Sequence, residues 1–232
     1  MLYRGLSLFF ALLIVGCAHA PRETIGTTVE GRPIQSYHFG SGPRRVLILG
    51  AIHGNETSTA YVTQQLTDLL NHQKIPCDLR LIPVANPDGF ARKIRTNARQ
   101  VDLNRNFPAS NWKTVLTPGY ATGKSPLSEP ESKALHDLIE SFKPNVIVSI
   151  HSIGQNRECN NFDGPGESIA RLMAQHNHYR VTPTIGYPTP GSLGSFAADH
   201  HLAMVTLELP SGQSGQDAWN NNREALLAVL NQ

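Results

Sequence analysis

The sequence predicts an α/β fold with a mixed, mainly parallel twisted sheet and helices on both faces. Short continuous apolar runs rich in β-branched residues indicate buried strands. Between these runs lie longer segments whose apolar residues recur at helical spacing. Strands that alternate with helices in this way give a mainly parallel sheet covered on both faces.

The first half of the chain predicts four strands and one helix. Each strand is a short apolar or β-branched run, and the helix carries apolar residues at helical spacing with Thr57 or Ser58 as its cap. Asn86–Gly89 is a turn sequence that ends the last of these strands. The expected strands are Thr28–Glu30, Ile34–Phe39, Val46–Gly50 and Leu79–Val84, and the expected helix is Glu56–His72.

The second half begins with a polar, non-periodic segment over residues 90–126, a length that is usually functional or mobile. A helix then runs through Phe142, with Ser128 as its cap, Pro130 in the first turn and Glu131 completing a capping box. The remaining expected elements are the strands Val146–Ile150 and Ala203–Leu209 and the helices Glu167–His178 and Ala218–Leu230.

The composition is that of a globular protein. The chain has 232 residues, of which 40% are hydrophobic and 16% charged, so it can bury a sizeable core. A net charge of +2 and the lack of a basic run predict no nucleic-acid partner. The sequence leaves the oligomeric state open.

Residues 1–20 are expected to be an export signal and tether, and residues 21–232 a single catalytic domain. Arg4 precedes the apolar stretch Leu6–Gly16, which suits a signal peptide and is too short to cross a bilayer comfortably. The stretch ends in a sequence that resembles a bacterial lipobox, which makes Cys17 the lipidated first residue of the mature chain. The alternative is ordinary export with cleavage near Ala18–Ala20.

Both alternatives predict an exported, periplasmic protein. The lipobox adds a membrane anchor, and Ala18 resembles the residue that sorts lipoproteins to the outer membrane. The periplasm permits a disulfide between Cys77 and Cys159, but two separate buried thiols fit the sequence equally well.

The candidate chemistry lies at the ends of two predicted strands. His53 and Glu56 are three residues apart after one apolar run, and His151 ends another. Such a His–Glu pair alone is common, but two His and one carboxylate are a usual ligand set for catalytic zinc. Open α/β sheets place their sites at these strand ends. The three residues therefore predict a zinc site.

Two further features suit a hydrolase. Asn104 and Arg105 offer a planar guanidinium fork and an amide that together bind a carboxylate, although a simple Asp102–Arg105 ion pair is the alternative. Glu208 interrupts an apolar strand, and a buried charge must be paired or line a site. A carboxylate there would serve as the general base for a metal-bound water.

Five motifs in order resemble the zinc carboxypeptidases of the carboxypeptidase A type, from about Val46 to Leu209. They are HxxE at His53–Glu56, NPDG at Asn86–Gly89, DLNRNF at Asp102–Phe107, SIHS at Ser149–Ser152 and TxEL at Thr206–Leu209. This resemblance implies the fold of that family and a single zinc ion.

The resemblance also assigns roles. It implies that His53, Glu56 and His151 bind the zinc ion. Asn104 and Arg105 would hold the terminal carboxylate of the substrate.

Three further roles follow from the same resemblance. Glu208 would act as general base and acid. An upstream Arg that stabilises the oxyanion matches Arg92 or Arg95, with the spacing favouring Arg95, and a Tyr on a mobile loop matches Tyr187.

Two more segments, Asn161–Pro165 and Gly186–Ser195, are typical of the murein peptide amidase branch of the family. Those enzymes hydrolyse the amide between γ-D-glutamate and meso-diaminopimelate in cell-wall peptides. The resemblance implies a murein peptide substrate. Asp163 would meet the diaminopimelate ammonium or, alternatively, form an Asx turn.

Two other functions are open to this sequence. N-acyl amino acid amidohydrolases, such as succinylglutamate desuccinylase and aspartoacylase, share a GxHGNE start and a DLNR-like motif, but NPDG and PGSLGS argue against them. A non-catalytic, lipid-anchored wall-binding module is the other alternative, and the intact set of His53, Glu56, His151 and Glu208 argues against it.

Overall fold

The computed structural model describes residues 20–232 and contains an eight-stranded mixed sheet. The expected signal peptide and the lipidation site Cys17 lie outside these residues. The strands are β1 (Arg22–Thr27), β2 (Pro33–Phe39), β3 (Arg45–Leu49), β4 (Asp78–Ile82), β5 (Val146–Ile153), β6 (Cys159–Asp163), β7 (Arg180–Thr182) and β8 (Ala203–Pro210). The helices are α1 (Thr57–Leu70), α2 (Pro87–Arg92), α3 (Pro130–Phe142), α4 (Glu167–Asn177), α5 (Leu193–Asp199) and α6 (Gly215–Leu230), with a 3-10 turn over Leu103–Arg105.

The strand order is β1-β2-β4-β3-β5-β8-β6-β7. The central strands β4, β3, β5 and β8 are parallel, and β6 also pairs in parallel with β7. The β1–β2, β2–β4 and β6–β8 pairs are antiparallel. The predicted mixed, mainly parallel sheet is therefore confirmed.

Each face of the sheet carries its own apolar core, because successive side chains of a strand point to opposite faces. Val46 and Ile48 of β3 pack with α1, α4 and α6, whereas Leu47 and Leu49 pack with α3 and α5. The prediction of helices on both faces is confirmed. The central strands are packed between these two cores, and the candidate functional residues lie at the carboxyl ends of the strands.

Five elements were not predicted, namely β1, β6, β7, α2 and α5. The β6 sequence is mostly polar, and it forms a strand by antiparallel pairing with β8. Helix α5 is short, and Ser192 caps it by accepting a hydrogen bond from the Ser195 backbone N–H.

The structure corrects the predictions at three local positions in the first half of the chain. Thr28–Glu30 is not a strand but part of a turn, in which the Gly31 N–H donates to the Thr28 carbonyl. Neither Thr57 nor Ser58 caps α1, since the residue before the helix is Glu56. Asn86 does not begin a simple turn, because its side chain accepts the Gly89 N–H and starts α2.

The predicted capping box at α3 is also wrong. The residue before the helix is Glu129, which makes no side-chain cap, while Pro130 is in the first turn as expected. The Ser128 hydroxyl donates to the Glu129 carboxylate. Glu131 is fully buried and instead accepts hydrogen bonds from the Val29 N–H and the Asn97 side chain.

Cys77 and Cys159 are both buried free thiols, as the second of the two alternatives predicts. They lie at β4 and β6, strands that three others separate in the sheet. Within residues 20–232, no helix is both long and apolar enough to cross a membrane.

Candidate active site

The three predicted zinc ligands converge at the carboxyl edge of the sheet. Because β3 and β5 are parallel neighbours, the loop that follows β3 brings His53 and Glu56 beside His151 of β5. The candidate ligand atoms all lie within 4.8 Å of one another, and all three side chains are buried. His53 Nδ1 lies 2.8 Å from Glu56 Oε1 and 3.2 Å from His151 Nδ1.

This donor set suits a zinc ion. Two imidazole nitrogens face each other and a carboxylate, which is the nitrogen and oxygen set that zinc accepts. Burial opposes charge on Glu56, but His53 and His151 outweigh it and hold the pKa of Glu56 well below its usual range. Glu56 is therefore ionised and favours a cation at this position.

Asp102, which the sequence did not identify as part of the site, joins the metal centre to an arginine. This carboxylate is fully buried, and its Oδ1 lies 3.0 Å from His53 Nε2. Its Oδ2 accepts hydrogen bonds from Arg95 Nε at 3.0 Å and from Arg95 Nη2. A carboxylate on the outer nitrogen of a ligating His fixes the ring and raises its basicity. The signal in the sequence was an acidic residue between the apolar Val101 and Leu103.

Asp102 also determines the charge of its neighbours. Burial lowers the pKa of His53, but the carboxylates of Glu56 and Asp102 outweigh it and raise that pKa to about 9. The alternative Asp102–Arg105 ion pair is absent among the described residues, since Asp102 pairs with Arg95 and His53 instead.

Of the two candidate arginines, the structure brings Arg95 to the site and leaves Arg92 outside. Arg95 Nη1 lies 3.8 Å from Glu56 Oε1. Arg92 forms an ion pair with Glu30 on the surface. The expectation for Arg92 is therefore wrong, because α2 directs its side chain away from the cleft.

Residues of the HxxE and NPDG motifs, Gly54 and Asn86, hold the Arg95 backbone next to the metal centre. The Arg95 carbonyl accepts hydrogen bonds from the Gly54 N–H and from Asn86 Nδ2. Gly54 packs so closely on α2 that a Cβ there would lie 2.0 Å from the Gly89 carbonyl carbon. Only glycine at residue 54 lets the His53 loop and α2 approach this closely.

Next to the metal centre is a small polar pocket that brings together four predicted residues, namely Asn104, Asp163, Tyr187 and Glu208. The Asn104 side-chain oxygen accepts the Leu193 N–H at 2.9 Å, which leaves its NH₂ group available to a ligand. Tyr187 lies at the exposed rim. Three of the four predicted substrate-binding residues, Asn104, Asp163 and Tyr187, therefore line one cavity, and Arg105 is not part of its lining.

Glu208 and Arg105 are buried beside this pocket. Glu208 lies directly opposite His151 in the β5–β8 register. Burial, with the Glu56 carboxylate, raises the pKa of Glu208 to about 8. Arg105 Nη1 donates to the Asn104 backbone carbonyl at 2.6 Å, so the guanidinium is held against the backbone of its neighbour.

A His–Glu–His group with an adjacent carboxylate and a paired Asn–Arg, at the carboxyl edge of a mixed sheet, defines a zinc-dependent peptide hydrolase. Residues 20–157 match the family model described as zinc carboxypeptidase. The chain belongs to the zinc carboxypeptidase family. The predicted family, fold and zinc cofactor are confirmed, and the protein is an enzyme.

Curated relatives and solved structures agree with this assignment. Murein peptide amidase A of Escherichia coli K12 is 35% identical over 213 residues, which cover 84% of this chain and 81% of the relative. The murein peptide amidase A of Vibrio campbellii is 32% identical over 209 residues, covering 80% and 77%. The crystal structure of a murein-tripeptide amidase from Escherichia coli O157 matches with a TM-score of 0.78 and 30% identity, over 93% of this chain and 94% of that one.

We expect Asp102→Asn to lower the affinity for zinc about 10- to 100-fold, because the amide no longer supplies a negative acceptor to the ring of His53. Competition with a chromogenic chelator measures this change. Asp137→Asn is the control, since the exposed Asp137 carboxylate pairs with Lys133 and His136 on α3. Equal zinc affinity in both variants would contradict the role of Asp102.

Proposed function

We propose that the protein is a zinc metallocarboxypeptidase that hydrolyses the amide between γ-D-glutamate and meso-diaminopimelate in murein peptides. The names of its relatives support the peptide class. The observation that carries the proposal is Asp163, a carboxylate in the pocket that has no side-chain partner within residues 20–232.

Asp163 is half-buried in the pocket that also contains Glu208. Among residues 20–232 its carboxylate accepts no hydrogen bond and meets no cation, and burial alone raises its pKa to about 6. The alternative Asx turn does not form, since the Gly166 N–H donates to the Asp163 backbone carbonyl. A half-buried carboxylate that meets no cation is available to a positively charged group of a ligand.

Gly194, which has no side chain, leaves space in the pocket for the Asp163 carboxylate. A Cβ on Gly194 would lie 2.3 Å from Asp163 Oδ2, so glycine is required for the carboxylate to occupy its position. Asn161, Thr184, Thr189 and other polar residues line the rest of the pocket. This chemistry suits a terminal residue whose side chain carries an ammonium group, as that of diaminopimelate does on the same carbon as its second carboxylate.

The remaining predicted residues complete the substrate site. Asn104 and Arg105 hold the terminal carboxylate, since Asn104 lines the pocket and the Arg105 guanidinium is bonded to the Asn104 backbone carbonyl. Tyr187 covers the bound residue from the rim. The substrate thus meets Asn104, Tyr187 and Asp163 within one cavity, with Arg105 next to Asn104.

The chemical step uses Glu208 and Arg95. When bound by His53, Glu56 and His151, zinc supplies a Lewis acid and lowers the pKa of water to about 7. Glu208 accepts the proton of the attacking water on its carboxylate and delivers it to the leaving amine nitrogen. Burial and Glu56 raise its pKa to about 8, and the positive charge of a bound zinc ion would favour the ionised form that accepts the proton.

Arg95 stabilises the developing oxyanion through Nη1, the nitrogen that Asp102 does not hold. A single donor of this kind contributes about 3–4 kcal/mol to the transition state. Because Asp102 holds the other edge of the guanidinium, the donor is already oriented before the substrate binds.

We also infer that the chain is exported to the periplasm and lipidated at Cys17. The apolar stretch Leu6–Gly16 and the lipobox-like residues before Cys17 support this inference. The anchor would place the enzyme next to its cell-wall substrate.

We expect Glu208→Gln to abolish turnover of L-Ala-γ-D-Glu-meso-diaminopimelate and to retain zinc, because the amide cannot accept the proton of water. Product release and the zinc content of the purified variant are measured together. Substantial residual activity would rule out the role of Glu208 as general base.

We expect Asp163→Asn to lower kcat/KM about 10- to 100-fold for the tripeptide ending in meso-diaminopimelate, since a charged hydrogen bond contributes about 1.5–3 kcal/mol. The same tripeptide ending in 2-aminopimelate, which lacks only the distal amine, should be cleaved equally by the wild-type protein and the variant. Asp68→Asn on the surface of α1 is the control. If the wild-type protein cleaves the diaminopimelate and 2-aminopimelate tripeptides equally well, Asp163 does not bind the ammonium group.

The Asp163 carboxylate should make binding of the diaminopimelate tripeptide depend on pH. The pKa of Asp163 is raised to about 6 by burial, so the group is ionised above this pH and neutral below it. The wild-type KM for the diaminopimelate tripeptide should rise as the pH falls through about 6. This inflection should be absent in Asp163→Asn, and its persistence in the variant would assign it to another group.

We expect radiolabelled fatty acid to be incorporated into the wild-type chain and not into Cys17→Ser, because the thiol is the acylation site. The fractionation of both proteins between membrane and soluble periplasm checks the anchor. An unlabelled wild-type chain in the soluble fraction would favour ordinary export.

A further inference from the structure

Tyr120 is a half-exposed aromatic residue in the irregular segment between the 3-10 turn and α3, and none of the assigned roles uses it. Its ring lies over the Arg95 guanidinium, with 5.1 Å between Arg95 Cζ and the ring centroid. The side chain is 52% exposed, so it is not part of either apolar core. An exposed tyrosine on the face of a buried-site arginine indicates a role at the site.

The position of the Arg95 guanidinium in its own plane is defined by Asp102 on one edge and by the metal centre on the other. Nε and Nη2 both donate to Asp102 Oδ2. Nη1 points toward the metal centre. A planar group held along one edge remains free to tilt about that edge, and the hydrogen bonds to Asp102 oppose this tilt only weakly. The ring of Tyr120 covers the face of the guanidinium and blocks the tilt in that direction.

The backbone around Tyr120 is fixed relative to Asp102. The Asp102 N–H donates to the Ala121 carbonyl at 2.8 Å, and Val101 forms a bridge with Ala121. The Tyr120 N–H donates to the Thr117 carbonyl. The acid that holds the edge of Arg95 and the ring that covers its face therefore belong to two directly paired stretches of chain.

The next residue, Thr122, extends this anchoring. It is fully buried, its N–H donates to the Val115 carbonyl, and its hydroxyl accepts the Val115 N–H at 2.9 Å. The ring of Tyr120 is thus exposed to solvent on one side while its backbone is held on both sides.

We propose that Tyr120 is a positioning residue for Arg95. Its ring holds the Arg95 guanidinium in the orientation that stabilises the oxyanion and shields the face of the guanidinium from water. This proposal rests on the proposed role of Arg95. The aromatic face is what acts, through a cation–π contact, and the phenol hydroxyl has no part in it.

Steady-state kinetics with the diaminopimelate tripeptide test the proposal. Tyr120→Ala should lower kcat about two- to five-fold with little change in KM, because the contact acts on the transition state. Tyr120→Phe keeps the ring and should match the wild-type protein. Leu116→Ala is the matched control, since Leu116 lies in the same segment, is 81% exposed and should leave both constants unchanged.

Three kinetic results would overturn the proposal. An unchanged kcat in Tyr120→Ala would show that the ring does not act on Arg95. A loss in Tyr120→Phe equal to that in Tyr120→Ala would assign the effect to the hydroxyl. An increase in KM alone would make Tyr120 a direct substrate contact.

A measurement without substrate separates this proposal from the proposed function. If the wild-type protein does not cleave the tripeptide, the proposed function fails, and the Arg95 Nε–H resonance in the zinc-loaded protein still tests Tyr120. Arg95→Lys identifies this resonance. We expect a ring-current shift and slow exchange with water in the wild-type protein and Tyr120→Phe, both lost in Tyr120→Ala. An unchanged resonance in Tyr120→Ala would overturn the proposal.

Discussion

The site depends on one buried carboxylate, Asp102, which is shared between a candidate zinc ligand and an arginine. Its two oxygens face His53 and Arg95, so neither group is able to move without leaving a buried charge unpaired. The same carboxylate accepts the Asn104 N–H and so orients the adjoining 3-10 turn, which carries Arg105. One acid therefore links metal binding, oxyanion stabilisation and carboxylate binding.

The sheet provides the second constraint, which is the order of its central strands. β3, β5 and β8 are parallel neighbours, so the loop after β3, the end of β5 and the end of β8 meet at one edge. The register places Glu208 opposite His151. Two apolar cores clamp these strands, and so the buried charges at their ends are held by a rigid support.

The sequence predicted most of this arrangement and missed the parts that depend on tertiary contacts. Apolar runs marked the central strands, and polar residues at their ends marked His53 and His151. β6 was missed because its polar residues line a pocket and show no strand pattern. Spacing alone did not separate Arg92 from Arg95, because the left-handed conformation of Lys93, with φ of 55°, reverses the chain between them.

The measurement that tests the central claim most directly is mass spectrometry of the products formed from L-Ala-γ-D-Glu-meso-diaminopimelate by the zinc-loaded protein. The account predicts free diaminopimelate and L-Ala-D-Glu, formed in equal amounts and lost after chelation of the metal. Intact tripeptide in the presence of bound zinc, or cleavage that chelation does not affect, would contradict it.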